Sequence, residues 1–187
     1  DIDPKTEEER LAGLRVRGEA HFLRAQFYFV LVNVYANAYN PENAKSTLGI
    51  PLKLTSYVEH DKDKDTQFER ASVAKVYEQI VKDLNLSIDY LTKSPQTHSF
   101  YRASKEAAML LLSRVYLYMQ EWENAKVIAG ELLKLKSTLK SYAALGNEDE
   151  VISKTNPEVL FSQGSLNLQQ AFTGEGGDFC ISKDLYE

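Results

Sequence analysis

The chain has 187 residues, 43% of them apolar and 26% charged, with a formal net charge of -5. That balance suits a folded globular segment rather than a disordered one, and the acidic excess argues against nucleic acid, whose phosphates demand a Lys/Arg surplus. The single cysteine, Cys180, excludes an internal disulfide, and no stretch approaches the roughly 20 apolar residues that span a bilayer.

Residues 6–38 carry the strongest helical periodicity. Leu11, Leu14, Phe22, Ala25, Phe29 and Val32 form one stripe, and Leu23, Phe27, Val30, Leu31 and Val34 widen it until packing on more than one side is implied. Gly18 marks either a break or a close approach by a neighbouring helix. A long loop is expected over 39–71. Asn40-Pro41 opens it, Leu48–Leu52 is a short extended piece because Pro51 disfavours helix at Ile50, and the alternating charges of Asp61–Asp65 are solvated. Ser72 is placed to cap a helix over 73–93, whose core stripe is Val73, Val76, Tyr77, Ile80, Leu84, Ile88 and Leu91. Ser94-Pro95 ends it. Helices are then expected at 103–120 and 122–136, joined by a turn of two or three residues that makes them antiparallel neighbours. Beyond residue 137 the tail is irregular: one possible turn at 141–145, a short extended strand at 158–162, and a glycine-rich loop at 164–177.

Residues 108–135 fit a tetratricopeptide unit, with a generic helical hairpin as the alternative. Ser113 is the small residue at the helix crossing, Tyr116 the aromatic three positions later, Trp122 the aromatic of the turn, and Ala125 the small residue of the second helix. Tyr116 and Trp122 are expected to fill the space beside the crossing. Residues 18–38 and 73–93 make a second, more divergent pair with the long loop as an insertion. The fold class expected is therefore mostly all-α, a single segment over 1–187 built of antiparallel tetratricopeptide-like pairs with a short extended C-terminal piece.

The run from Arg17-Gly18-Glu19-Ala20-His21-Phe22-Leu23-Arg24-Ala25 through Phe27-Tyr28-Phe29 to Leu31-Val32 resembles the signature helix of SusD/RagB proteins. Gly49–Leu52, Arg70-Ala71-Ser72 with Val76-Tyr77, Ile80 and Asp83-Leu84, Ala103–Tyr118 with Trp122 and Ala125, and Asn156–Ser162 continue the resemblance in order. It implies a lipid-anchored protein on the outward face of a bacterial outer membrane, which captures a glycan or other nutrient and passes it to a SusC-type TonB-dependent transporter. The chain is short for that family. It lacks an initiator Met and a lipid-accepting Cys near its start, and Lys183–Glu187 reads like the opening of another helix. It is expected to be a slice of a longer protein, with the lipid anchor outside it.

Sugars stack their CH faces on aromatic rings, so the loop residues Tyr39, Asn40, Tyr57, His60 and Tyr101 are the candidate ligand contacts. The structural alternative is that Tyr39 packs under its loop and Asn40 caps the turn. Catalysis, cofactors and metals find no support. An EF-hand counted from Asp61 would need Gly at Thr66 and Glu at Ser72, the histidines stand in no metal-binding frame, and no nucleophile elbow is present. A tetratricopeptide adaptor that grips a peptide with Arg17, Arg24 and Asn33 is the alternative function.

Overall fold

A computed structural model describes residues 4–55, 69–96, 100–141, 143 and 156–162. Tyr57, His60, Asp61–Asp65, most of the turn expected at 141–145, the 164–177 loop and Cys180 lie outside the described residues. Among those described, the order is α1 (Glu7–Tyr35), β1 (Leu48–Pro51), β2 (Arg70–Ser72), α2 (Val73–Lys93), α3 (Lys105–Tyr118) and α4 (Trp122–Leu135). The chain is mostly helical, as expected.

Each helix begins where a side chain satisfies its first free N–H groups. Thr6 and Glu9 form a reciprocal capping box at α1. Ser72 accepts from the Lys75 N–H and Ser104 from the Ala107 N–H, starting α2 and α3. α3 is two residues shorter at each end than its periodicity suggests, because Ser104 is a cap outside it and the chain turns after Tyr118.

α1 and α2 run antiparallel. Gly18 lies at Leu91, His21 and Arg24 at Asp83, Phe29 and Asn33 at Tyr77, so rising numbers on one helix meet falling numbers on the other. Gly18 does not break α1. It lets the helix approach α2 so closely that a Cβ there would sit 2.7 Å from Leu91 Cγ. α3 packs on α2, and α4 on α3, in chain order. The core lies between the first three helices, where Val32, Val76, Tyr77, Ile80, Leu84, Leu112 and Val115 are sealed from solvent. Burying side chains of this size contributes about 1.5–3 kcal/mol each.

The loop after α1 is more ordered than a plain insertion. β1 and β2 pair antiparallel, Leu48 opposite Ser72 and Pro51 opposite Arg70, with an irregularity between the two pairs. The Thr47 and Ala44 carbonyls accept the first N–H groups of α2, from Val73 and Ala74, each at 2.9 Å. The strand at β2 was not expected; three residues are too few to show an alternation.

The α3–α4 turn has three residues, 119–121, the longer of the two lengths anticipated, and closes on a left-handed Gln120 with φ 63°. The Glu121 N–H reaches the Tyr116 carbonyl and the Gln120 N–H the Leu117 carbonyl, the bond pattern of a Schellman helix end. Ser113 and Ala125 are buried at the crossing, and Tyr116 packs at the edge of the core. Trp122 does not fill the space beside them: it opens α4 with its side chain outward, 60% exposed. The segment 156–162 forms no strand. It is a turn followed by an irregular stretch, tied by the Ser162 N–H to the Phe100 carbonyl and by Phe161 edge-on to Phe22 at 4.8 Å. Its apolar residues satisfy a groove between α1 and α3 rather than a sheet.

These contacts separate three glycines. Gly18→Ala should lower stability by about 1–3 kcal/mol through overpacking, despite alanine's better helix propensity. Gly13→Ala and Gly130→Ala, where nothing lies within 4 Å of the added methyl, should each raise it by up to about 1 kcal/mol. Urea titration of the three variants measures the contrast.

Candidate ligand-binding surface

Where α1 ends, the chain must turn back on itself. The Asn40 side-chain carbonyl accepts the Glu42 N–H at 3.0 Å, and its backbone carbonyl accepts from Asn43 and Ala44. The return to α2 is fixed by Arg70. Its Nε donates to the Gly49 carbonyl at 2.6 Å, and its Nη2 to the Leu48 and Tyr35 carbonyls at 3.2 and 3.3 Å. One guanidinium thus joins the end of α1 to both strands. Tyr28 pins the far side of the loop, donating its hydroxyl proton to the Lys53 carbonyl at 2.7 Å while accepting the Lys53 N–H at 2.9 Å.

Beside Arg70, at the end of α1, lies an open groove of about 610 Å³, lined by Val34, Tyr35, Ala36, Asn37, Thr47, Leu48 and Arg70. Tyr35 is 68% exposed. Sequence periodicity places it on a helix and suggests packing, yet at the last residue of α1 no neighbour among the described residues covers it. An exposed ring, an amide and a guanidinium held rigidly by neutral carbonyls together offer a flat apolar face with fixed hydrogen-bond donors. Asn37 and Arg70 escape a search for aromatics; the only hint is that the Arg70 block follows a long loop.

Of the residues singled out from sequence, Tyr57 and His60 lie outside the described residues, and among the described ones Tyr101 lies apart from the adjacent Tyr39 and Asn40. Tyr39 is half-buried, its ring edge-on to Tyr77 at 4.9 Å, and Asn40 caps its turn. Burial raises the Tyr39 phenol above its usual range, with Glu121 and Glu78 adding to the effect. Tyr101 is exposed beside Phe100, its ring centroid 4.1 Å away. The neighbouring Arg102 pairs with Glu19, which also accepts from Gln96. Glu19 and Tyr35 are 16 residues apart on one helix, so the Tyr101 loop and the groove are separated by about 24 Å along α1.

Polar side chains that might line an adaptor groove are engaged internally. Asn33 donates to the Phe29 carbonyl and accepts from the Tyr77 hydroxyl, whose pKa is pushed up to about 12, chiefly by burial. Arg24 gives two hydrogen bonds, 2.8 and 2.6 Å, to the oxygens of Asp83, a carboxylate with 0% exposure. His21 Nδ1 lies 2.7 Å from the same group, and its ring stacks on Tyr90. Burial alone would raise the Asp83 pKa. Hydrogen bonds from Arg24, Gln79 and His21, together with the Arg24 charge, outweigh it and hold the carboxyl below its ordinary value. Arg17 stays exposed beside a shallow recess of about 260 Å³ with Ala20, His21 and Arg24. Among the described residues no three acidic, His or Cys side chains gather as a metal site, and no helix is long and apolar enough to cross a membrane.

A family model described as SusD-like, starch-binding associating with outer membrane, matches residues 2–117. Among solved structures, the chain is similar to a SusD superfamily protein from Bacteroides thetaiotaomicron, at 28% identity and TM-score 0.60, covering 76% of this chain and 29% of that one. It is similar to a SusD-like protein from Bacteroides fragilis, at 29% identity and TM-score 0.55, covering 73% and 23%. A laminarin binding SusD-like protein is 25% identical with TM-score 0.52, covering 74% and 26%. The chain therefore spans under a third of the length of these relatives. No curated protein matches it.

Asp83 sets an acid limit on the α1–α2 interface. Because its folded pKa is lowered, its contribution is complete above the unfolded carboxyl pKa of about 3.9 and is lost as pH falls through the folded value. Arg24→Ala leaves the carboxylate buried without its main partner and should cost about 3–5 kcal/mol at neutral pH. Asp83→Asn should lose the acid-side part of the stability profile. Urea midpoints taken from pH 2 to 7 for wild type and both variants distinguish the two effects.

Proposed function

The chain belongs to the SusD-like family, and on that premise we propose that it is the helical scaffold, with part of the capture surface, of an extracellular glycan-binding protein. The protein binds and does not catalyse. In the complete form it is held by a lipid anchor on the outward face of the outer membrane and passes its ligand to a SusC-type TonB-dependent transporter. The observation that carries this reading is the family match over residues 2–117, whose description names starch binding and the outer membrane. The description of one similar structure as laminarin binding supports a polysaccharide ligand.

The groove at the end of α1 is the part of this chain best suited to contribute contacts. Tyr35 offers a ring to the CH face of a pyranose, while Asn37 and the Nη1 of Arg70, whose Nε and Nη2 are already bonded to carbonyls, offer donors to its hydroxyls. Tyr39, Asn40, Tyr57, His60 and Tyr101 remain candidates for a larger surface, in which Tyr101 would form a second contact at the other end of the helix pair. The peptide-binding adaptor is disfavoured because Arg24 and Asn33 already serve internal partners.

Calorimetry with laminarin, starch and a panel of plant and host glycans tests the reading. At least one polysaccharide should bind, and Tyr35→Ala should weaken it about tenfold, a loss of about 1.4 kcal/mol. Tyr39→Ala should instead lower the melting temperature, since its ring packs on Tyr77. Absence of binding to every glycan would count against the sugar reading. Weaker binding by Tyr39→Ala at unchanged melting temperature would move the site into the loop. Recovery of a TonB-dependent transporter with the detergent-solubilised complete protein tests the partner.

A further inference from the structure

One flank of α1 carries a line of cations that leads into the groove at its end. At about 100° per residue, Arg17, Arg24, Tyr28 and Tyr35 fall within an arc of about 40°, along some 27 Å of helix. At one end Arg17 stands exposed beside the recess it shares with His21 and Arg24. At the other, Arg70 bonds the Tyr35 carbonyl and lines the groove. Tyr28, between them, holds the Lys53 backbone through two hydrogen bonds, which sets a lysine midway along the line.

The charges on this flank are not balanced. Asp83 meets Arg24, but Arg17, Lys53 and Arg70 form no ion pair among the described residues. Glu19, the one carboxylate of α1 beyond its first turn, lies about 150° around the helix from this line and is bonded to Arg102 and Gln96. Glu69, next to Arg70 in the chain, is exposed and likewise forms no ion pair among the described residues. Arg70 is the clearest case. Its Nε and Nη2 are engaged by three backbone carbonyls, which fix the guanidinium but leave its charge unmet. A chain with a net charge of -5 thus gathers unmatched positive charge beside its exposed Tyr35 ring.

This arrangement discriminates between sugars. A neutral sugar hydroxyl has a proton to donate as well as lone pairs to accept with, and the three carbonyls nearest the ring are already taken by Arg70. A carboxylate or sulfate only accepts, and it supplies the missing charge. We propose that the ligand is an acidic polysaccharide, whose carboxylate or sulfate groups lie on Arg70, Lys53 and Arg17 while one sugar ring stacks on Tyr35. The proposal rests on the reading of the α1 groove as a glycan site and narrows it to a charge class. The polysaccharide chain runs along the flank of α1 from the groove to the Arg17 recess. Arg24, neutralised by Asp83, holds the floor of that recess in place, and the charge there comes from Arg17.

Calorimetry on the 187-residue chain compares polygalacturonate with its carboxyl-reduced form and chondroitin sulfate with its desulfated form. At least one acidic polymer should bind about tenfold or more tightly than its counterpart. Loss on carboxyl reduction identifies carboxylate as the anion recognised; loss on desulfation identifies sulfate. Arg17→Gln combined with Lys53→Gln removes two charges that have no internal ion pair among the described residues. The melting temperature should hold, while affinity for the acidic polymer falls roughly tenfold. Lys134→Gln, exposed on α4, removes one charge away from α1 and should leave affinity unchanged. Failure of both acidic polymers to outbind their counterparts would overturn the proposal. So would an equal loss from Lys134→Gln, or inorganic polyphosphate bound as tightly as the sugars, since charge alone would then explain the binding. Laminarin or starch bound as tightly as the acidic polymers would overturn the charge class and leave the glycan reading standing, whereas silence from every glycan would remove both.

Discussion

Asp83 has no access to water, and a charge in that position is tolerated only because Arg24 and His21 reach it from the facing helix. The geometry is demanding. Both carboxylate oxygens are engaged by one guanidinium, and a one-residue slip between α1 and α2 would carry Arg24 around its helix and leave a naked buried charge. The pairing therefore acts as a register pin. Gly18 at Leu91 and Asn33 at Tyr77 fit only in the register that Arg24 and Asp83 allow. The same register puts Glu19 within reach of Arg102, which ties the α2–α3 connection to α1.

Much of this was legible in the chain, for identifiable reasons. The four helices announce themselves by periodicity, and Ser72, placed between a loop and an apolar run, marks the start of α2 as a cap. The three-residue turn fixed α3 and α4 as neighbours. Ser113 and Ala125 meet at their crossing because small residues admit close backbones. Partner choice was harder to read. Arg24 looks like a surface charge until Asp83, 59 residues away, is brought opposite it. Nothing local distinguishes a buried aspartate from the exposed ones around it.

The errors share a cause. Trp122 was expected inside because it takes the aromatic position of the tetratricopeptide turn, and Tyr35 because aromatics on helices usually pack; both sit at helix ends, where the cylinder runs past its neighbour. Residues 158–162 carry β-favouring side chains, but without a partner strand that preference yields to packing, and Phe161 settles against Phe22. The ligand candidates were chosen by a different signal. Aromatic type selects Tyr39, while the exposed groove is built from a helix end, a strand carbonyl row and an arginine, a combination that exists only once the loop has closed.

The clamp that closes the loop has a consequence for how such a surface can diversify. β1 and β2 hold the chain entering and leaving the stretch between them at ladder distance, about 5 Å, while Tyr28 and Arg70 bind the two sides to α1. Sequence between residues 55 and 69 can then lengthen, shorten or change composition without disturbing the helices. Each doubling of length adds only about 0.6 kcal/mol of closure entropy. Change at that point leaves the register of the helices alone, separating what selection can alter from what it must preserve.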